Sequence, residues 1–406
     1  MQETKTNKKF IKTATALLLF LFLVGGGYLL YINLKPKPSL EQKFVVEERN
    51  LTSTTSPFGK ILNHDEEQPM VNAEEIPKEL APTHESTTFS VPEKYEIPQA
   101  SHTYQTFNNC GPATLSMILS YYDINVNQKE LGDLMRPYQH PKGDNDDKTI
   151  FPSEFMEWAQ VYGEEKNLKV IYRPNGSIEL LKLFISNDIP VVVKMWLNTK
   201  EDIGHFVLAR GYDETKQIIL KDDSYYGPNK KVEYFDFMSM WQSFNYSYIV
   251  LYTPEQESVI KSILGPEINE YTAWENAVVK AHKEHDLDPE NIYPFFNLSV
   301  GYYHIGEYEN SIKYFEQVEK RLPRRMLWYQ IEPIKAYQKT GSYDKVFQII
   351  EHILNDNNLA FSELYYIRGE IYLEQNNTAA AKTEFETALK YNKNYIPAKE
   401  ILEKLE

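Results

Sequence analysis

The chain has one cysteine in 406 residues, Cys110. A lone cysteine excludes an internal disulfide framework and a zinc site built on thiolates within one copy. Cationic side chains are also in short supply: 43 Lys and Arg stand against 58 Asp and Glu, for a formal net charge of −15. Beyond the first dozen residues there is no basic stripe. Phosphate backbones are held by clusters of Lys and Arg, so nucleic acid is excluded as a natural partner. What remains is a globular composition, 42% hydrophobic and 25% charged, with room for two or three domains. Tyrosine is abundant at 30 residues, which suits both helical packing and binding surfaces.

One long run lacks any ionisable side chain, residues 14–34. At about 1.5 Å per helical residue it is long enough to cross a hydrocarbon core of about 30 Å. Lys5, Lys8, Lys9 and Lys12 precede it against Glu3 alone, a bias that keeps this end in the cytoplasm. The run ends in Tyr31-Ile32-Asn33-Leu34-Lys35-Pro36 rather than at a small-residue cleavage site. The expectation is an uncleaved signal anchor: a cytoplasmic tail (1–13), a single transmembrane helix in the cell membrane (14–34), and the bulk of the chain outside the cytoplasm. Residues 35–94 show no sustained period and are punctuated by Pro36, Pro38, Pro57, Pro69, Pro77 and Pro82. Such a segment cannot bury enough apolar surface to offset its ordering entropy, and reads as an extended linker.

From residue 95 to 254 the pattern changes. Helical periodicity is expected at 112–122, 127–135, 152–162 and 177–187, and strands at 190–197, 205–212, 217–221 and 246–252. Helices first and strands afterwards is an α+β order, with the strands most simply antiparallel. Asp213-Glu214-Thr215-Lys216 is placed to turn the second strand into the third.

Cys110 lies in Gln105-Thr106-Phe107-Asn108-Asn109-Cys110-Gly111-Pro112-Ala113. Leu115, Ile118, Leu119 and Tyr122 then recur at helical spacing, and Pro112 fits a first helical turn. The thiol therefore sits at a helix N-terminus, where unpaired N–H groups and the positive dipole end favour a thiolate. A thiol nucleophile needs a base, and His205 opens a strand in Ile203-Gly204-His205-Phe206 after a small residue that leaves room beside the ring. The imidazole needs an acceptor in turn. Asp222 and Asp223 close the next strand, and because adjacent strand residues face opposite ways only one of them can serve. Asp222 is taken as the partner, with the other carboxylate capping the turn at Ser224–Pro228.

These motifs resemble the C39 and C39-like peptidases of the papain-like clan over about residues 95–253. The matching pieces are Gln105 ahead of the nucleophile, the Cys110–Ala113 box with its helix, the PVVVKM strand, the GHFVLARGYD strand from Gly204 to Asp213, Asp222 at a strand end, and an aromatic segment closing at Trp241. The resemblance implies an α+β papain-like fold in which Cys110 is the nucleophile, His205 the general base and then acid, and Asp222 the orienting group. It also implies that Gln105 donates to the oxyanion together with the Cys110 backbone N–H. Two features depart from the pattern. The usual Asp-Pro reads Asp222-Asp223, and the chain has neither the multi-span bundle nor the P-loop of the transporter-fused members, so leader cleavage coupled to export is not carried over. Neither a metal nor an organic cofactor is implied: Asp144–Asp147 lacks the rest of a calcium loop, and His282 and His285 lack a third ligand.

The last third repeats. Gly306, Gly341 and Asn376 are each 35 residues apart, between helical patterns. Phe295, Leu298, Tyr302, Tyr308, Phe315 and Pro323 mark the first unit, and the whole of 265–406 resembles tetratricopeptide repeats, an all-α solenoid. Pro333 stands where a leucine is expected and predicts a kink or a late helix start. Helices at 270–286 and 396–405 should cover the ends of the stack. Together the features point to a membrane-anchored extracytoplasmic cysteine peptidase acting on a peptide or protein, with the repeats binding substrate or partner. The alternatives are a thiol acyltransferase, which shares the acyl-enzyme chemistry, and a non-catalytic binding scaffold that retains the fold.

Overall fold

The computed structural model describes residues 91–138 and 150–405. The expected cytoplasmic tail, the transmembrane helix, nearly all of the linker, and Asp144–Asp147 lie outside the described residues. Among the described residues no helix is long and apolar enough to cross a membrane.

A seven-stranded antiparallel sheet organises the first part. Its strands are β1 (Lys94–Glu96), β2 (Lys169–Arg173), β3 (Val191–Trp196), β4 (Gly204–Asp213), β5 (Ile218–Asp223), β6 (Gly227–Glu233) and β7 (Tyr248–Tyr252). They run in the order β2-β7-β3-β4-β5-β6, with β1 pairing β4 beyond the end of β3. Every residue of β3, β4 and β7 is buried, which is why their apolar runs are continuous instead of alternating. The expected β4–β5 hairpin forms, with its turn at Glu214–Gln217. Sequence periodicity missed β1, β2 and β6, whose lysines, glutamates and arginine mask any alternation.

The four expected helices appear as α1 (Cys110–Leu119), α2 (Gln128–Met135), α3 (Pro152–Gly163) and α4 (Ile178–Ile185); α5 (Tyr234–Gln242) and α6 (Glu257–Leu264) were not foreseen. Nine of the ten residues of α1 are buried, because it packs against β4, α2 and α3 together. Gly111 makes this possible: a Cβ there would lie 2.4 Å from the Ile150 side chain. One face of the sheet packs Phe206, Leu208, Leu115, Ile118 and Phe155 into a core with α1 and α3.

The other face continues into the helical array. Val193, Val207, Phe237 and Trp241 belong to the same core as Phe296, Trp328, Ile350 and Phe385. The two expected domains, 95–254 and 265–406, thus share one unbroken hydrophobic core. The array comprises α7 (Glu270–Leu287), α8 (Ile292–His304), α9 (Tyr308–Val318), α10 (Met326–Tyr329), α11 (Glu332–Lys339), α12 (Tyr343–Asn355), α13 (Ser362–Glu374), α14 (Thr378–Tyr391) and α15 (Ile396–Leu405). Gly306, Gly341 and Asn376 take positive φ of 83°, 73° and 59° at the three interhelix turns. Pro333 lies in the first turn of α11, a helix of 8 residues where α8 and α13 have 13. The missing first part of this repeat is replaced by the separate turn of helix α10.

Candidate active site

Gln128 makes several of the bonds that hold the loop carrying Cys110. Gln128, the first residue of α2, accepts at Oε1 from the Thr106 N–H and Asn109 Nδ2 at 2.9 and 3.0 Å. It also donates from Nε2 to Thr103 Oγ1 and the Tyr104 carbonyl at 2.8 and 2.6 Å, and its own carbonyl accepts from Asn109 Nδ2 at 3.0 Å. Asn108 adopts φ 50°, a left-handed turn that asparagine tolerates, and swings the chain into α1. The Asn109 side chain, at the N-cap, makes no capping hydrogen bond to this helix. Cys110 is 5% exposed and stands at this end, where the helix dipole is positive.

His205 is the second residue of β4 and is 2% exposed. Its Nε2 meets Asp223 Oδ1 at 2.8 Å, and its ring is also hydrogen-bonded to Cys110. With Nε2 engaged by the carboxylate, Nδ1 is left to face the thiol. Burial alone would lower the imidazole's affinity for a proton, yet Asp223 and Cys110 outweigh it and push the pKa up to about 9. Burial likewise opposes ionisation of Asp223, but His205 and Lys221 hold its carboxyl well below the usual carboxylate range. Lys221 Nζ bonds Asp223 Oδ2 at 2.7 Å.

The carboxylate bonded to the His205 imidazole is therefore Asp223, not the expected Asp222. Strand register decides between them. Val207 pairs with Asp223 and Leu208 with Asp222. His205 and Val207 share a face, so Asp223 lies diagonally beside the imidazole while Asp222 points to the opposite side. There Asp222 accepts from Arg210 Nε at 2.8 Å and from the Asn229 N–H at 2.9 Å. Nor does the turn after β5 use the other carboxylate: Asp223 Oδ1 itself accepts from the Tyr225 and Tyr226 N–H groups at 2.9 and 3.0 Å.

Gln105 is tied to the residue after Asp223. Its N–H donates to the Ser224 carbonyl at 2.8 Å, and its Oε1 accepts from Ser224 Oγ at 2.9 Å. That anchoring orients the amide and leaves Nε2 as its donor end. Three further residues crowd the site without having been foreseen. Arg136, 5% exposed, donates from its guanidinium to the Asn108 carbonyl and interacts electrostatically with Cys110. Burial lowers its pKa to about 10, with Cys110 and Glu154 opposing the fall. Lys194, on β3 opposite Phe206, is buried among the rings of Phe151, Phe206, Phe244 and Tyr329 at 5.3 to 5.8 Å. Tyr329 comes from α10, and a Cβ on Gly204 would lie 3.0 Å from its ring. The space before His205 is thus filled by the helical array. Asp202 fastens the contact, bonding Arg325 Nη1 at 2.7 Å and accepting at its carbonyl from Tyr329 Oη at 3.3 Å. Arg136 and Tyr329 are distant in sequence from the motif, and no periodicity marks them.

The two histidines considered as ligands have other partners: His282 bonds Tyr302 Oη at 2.8 Å, and His285 packs on the Phe295 ring at 4.3 Å. Among the described residues no group of three or more His, Cys, Asp or Glu is placed to hold a metal ion.

Residues 95–249 match the model of the peptidase C39-like family, and residues 362–395 match a tetratricopeptide repeat. The chain carries a C39-like peptidase domain followed by a tetratricopeptide repeat region. The chain is also similar to the TPR repeat-containing protein MJ1428 of Methanocaldococcus jannaschii, 26% identical over 127 residues, covering 29% of this chain and 22% of that protein. The match spans about a fifth of that relative's length. Among solved structures, a C39-like peptidase from Bacillus anthracis is 17% identical, with a TM-score of 0.32, covering 40% of this chain and 98% of its own. The peptidase domain of Streptococcus ComA, a bifunctional ABC transporter, is 16% identical with a TM-score of 0.29, covering 39% and 98%.

Proposed function

We propose that the chain is a cysteine peptidase that cleaves an amide bond in a peptide or protein. The observation that carries this reading is the buried Cys110–His205–Asp223 series, with the imidazole bonded on both sides. In the proposed cycle His205 takes the thiol proton and Cys110 Sγ attacks the carbonyl carbon. The Cys110 N–H and Gln105 Nε2 donate to the oxyanion that develops. His205 returns the proton to the leaving amine, and the same imidazole then activates water against the thioester. Asp223 stays ionised throughout and holds the imidazolium. The repeats, by their helical pairs and aromatic side chains, bind substrate or partner. Residues 14–34 anchor the chain in the membrane, with the peptidase on the extracytoplasmic side; the lysine-rich segment before them supports that orientation.

Turnover of a degenerate peptide library by the full-length chain, against its Cys110→Ser variant, tests the chemistry. Loss of cleavage with unchanged thermal unfolding is the expected result. Equal cleavage by both proteins would refute the assignment. Protease protection in sealed membrane vesicles tests the placement: the repeat region should be digested only from the extracytoplasmic face.

A further inference from the structure

Two of the array's many contacts with the peptidase domain stand well apart in the chain. At one, α10 docks on the start of β4 through Arg325 and Tyr329. At the other, the turn after α14 reaches the end of α2: Asn392 and Asn394 Nδ2 donate to the Met135 and Leu134 carbonyls at 3.4 and 2.8 Å. The rings of Tyr138 and Tyr391 meet edge-on there at 5.1 Å. Between these contacts, α3 and the repeats enclose a cavity of about 740 Å³. That is a usual size for a ligand site.

Its walls are acidic from both sides. Glu154 and Glu157 come from α3, Glu270 from α7, Glu332 from α11 and Glu363 from α13, against Lys335 and His304. Glu363 is 8% exposed. Glu332, its side chain 20% exposed, faces His304 with Oε1 at 3.5 Å, and its Oε2 has no hydrogen-bond partner among the described residues. A carboxylate oxygen so placed is able to accept a further donor. Trp158, Tyr172 and Tyr395 add aromatic surface. Two residues of its wall are chain neighbours of residues that contact the start of α1. Met135 in its wall precedes Arg136, which interacts with Cys110, and Phe151 follows Ile150, which packs on Gly111.

We propose that this shared cavity binds a lysine- or arginine-bearing stretch of the polypeptide substrate. The inference rests on the peptidase reading for its word substrate, but the binding is testable apart from it. Five carboxylates on two walls attract a cationic head, and the aromatic rings accept its methylene stem. An acidic segment would meet the same field as repulsion.

The probe is a fluorescein-labelled nonapeptide of alternating lysine and glycine, titrated into the full-length Cys110→Ala protein in non-ionic detergent. A glutamate–glycine peptide of equal length and spermidine are compared alongside. The lysine peptide should bind saturably, weaken as salt rises, and weaken at least about tenfold in Glu157→Gln/Glu332→Gln. Lys335→Ala, which removes an opposing charge, should bind it more tightly. The exposed pair Glu386→Gln/Glu403→Gln should change nothing. Equal binding of the glutamate peptide, equal weakening by the exposed pair, or spermidine binding as tightly as the peptide would each overturn the proposal. Because the thiol is absent from this assay, its failure leaves the peptidase reading standing. A dead Cys110 in the wild-type chain would leave the cavity's binding standing in turn.

Discussion

Replacing Asp223 by asparagine keeps the shape of the side chain and removes its charge. His205 is raised from 6.5 to about 9 although burial works the other way. At about 1.36 kcal/mol per pKa unit, the two anions beside the ring favour imidazolium by roughly 3 kcal/mol net. Asp223 and Cys110 share that effect, so losing Asp223 alone should lower the imidazole by at least about one unit. The thiolate–imidazolium pair weakens equally, and the midpoint of Cys110 alkylation by iodoacetamide should rise toward the ordinary thiol value of about 8.5. Asp222→Asn is the informative contrast. It strips the Arg210 guanidinium of a buried partner, which costs on the order of 3 kcal/mol of stability. Its charge does not touch His205, so the alkylation midpoint should stay where it is in the wild-type chain. Urea unfolding of both variants separates stability from reactivity. A midpoint that moved in Asp222→Asn and not in Asp223→Asn would refute the register argument.

Other consequences follow from the same geometry. Arg136→Met removes a cation beside Cys110 and a donor to the Asn108 carbonyl; the alkylation midpoint should rise, and about 1–3 kcal/mol of stability should be lost. Gln105→Ala should cut kcat by about 10²-fold or more while leaving the alkylation midpoint in place, since its amide serves the oxyanion and not the thiolate. Tyr329→Ala should lose about 3 kcal/mol and slow alkylation, whereas Tyr365→Ala, buried within the array, should lose stability alone. A group whose pKa is raised by folding stabilises below its unfolded value. The His205 contribution should therefore be full below about pH 6.5 and lost as pH rises through about 9. In the wild-type chain ionisation of the Cys110 thiol offsets this slope, so urea midpoints across that window should fall in Cys110→Ser and flatten in Cys110→Ser/His205→Gln.

Short-range chemistry makes much of this protein legible in its sequence. The lone cysteine ahead of a helical period, a histidine opening an apolar strand, and turn-forming residues every 35 positions are all local signals, and α1, β4 and the left-handed turns at Gly306, Gly341 and Asn376 answer to them. Pro333 announces the shortened helix in the same way, through its missing N–H. The choice between Asp222 and Asp223 is of another kind. Side chains alternate with a period of two, so one step in strand pairing exchanges the two carboxylates, and nothing local sets that step. Only the pairing of Val207 with Asp223 decides it. The tertiary structure alone also puts Tyr329 beside Gly204 and Arg136 beside Cys110, because burial of a shared core selects contacts between residues that have no spacing in the chain to betray them.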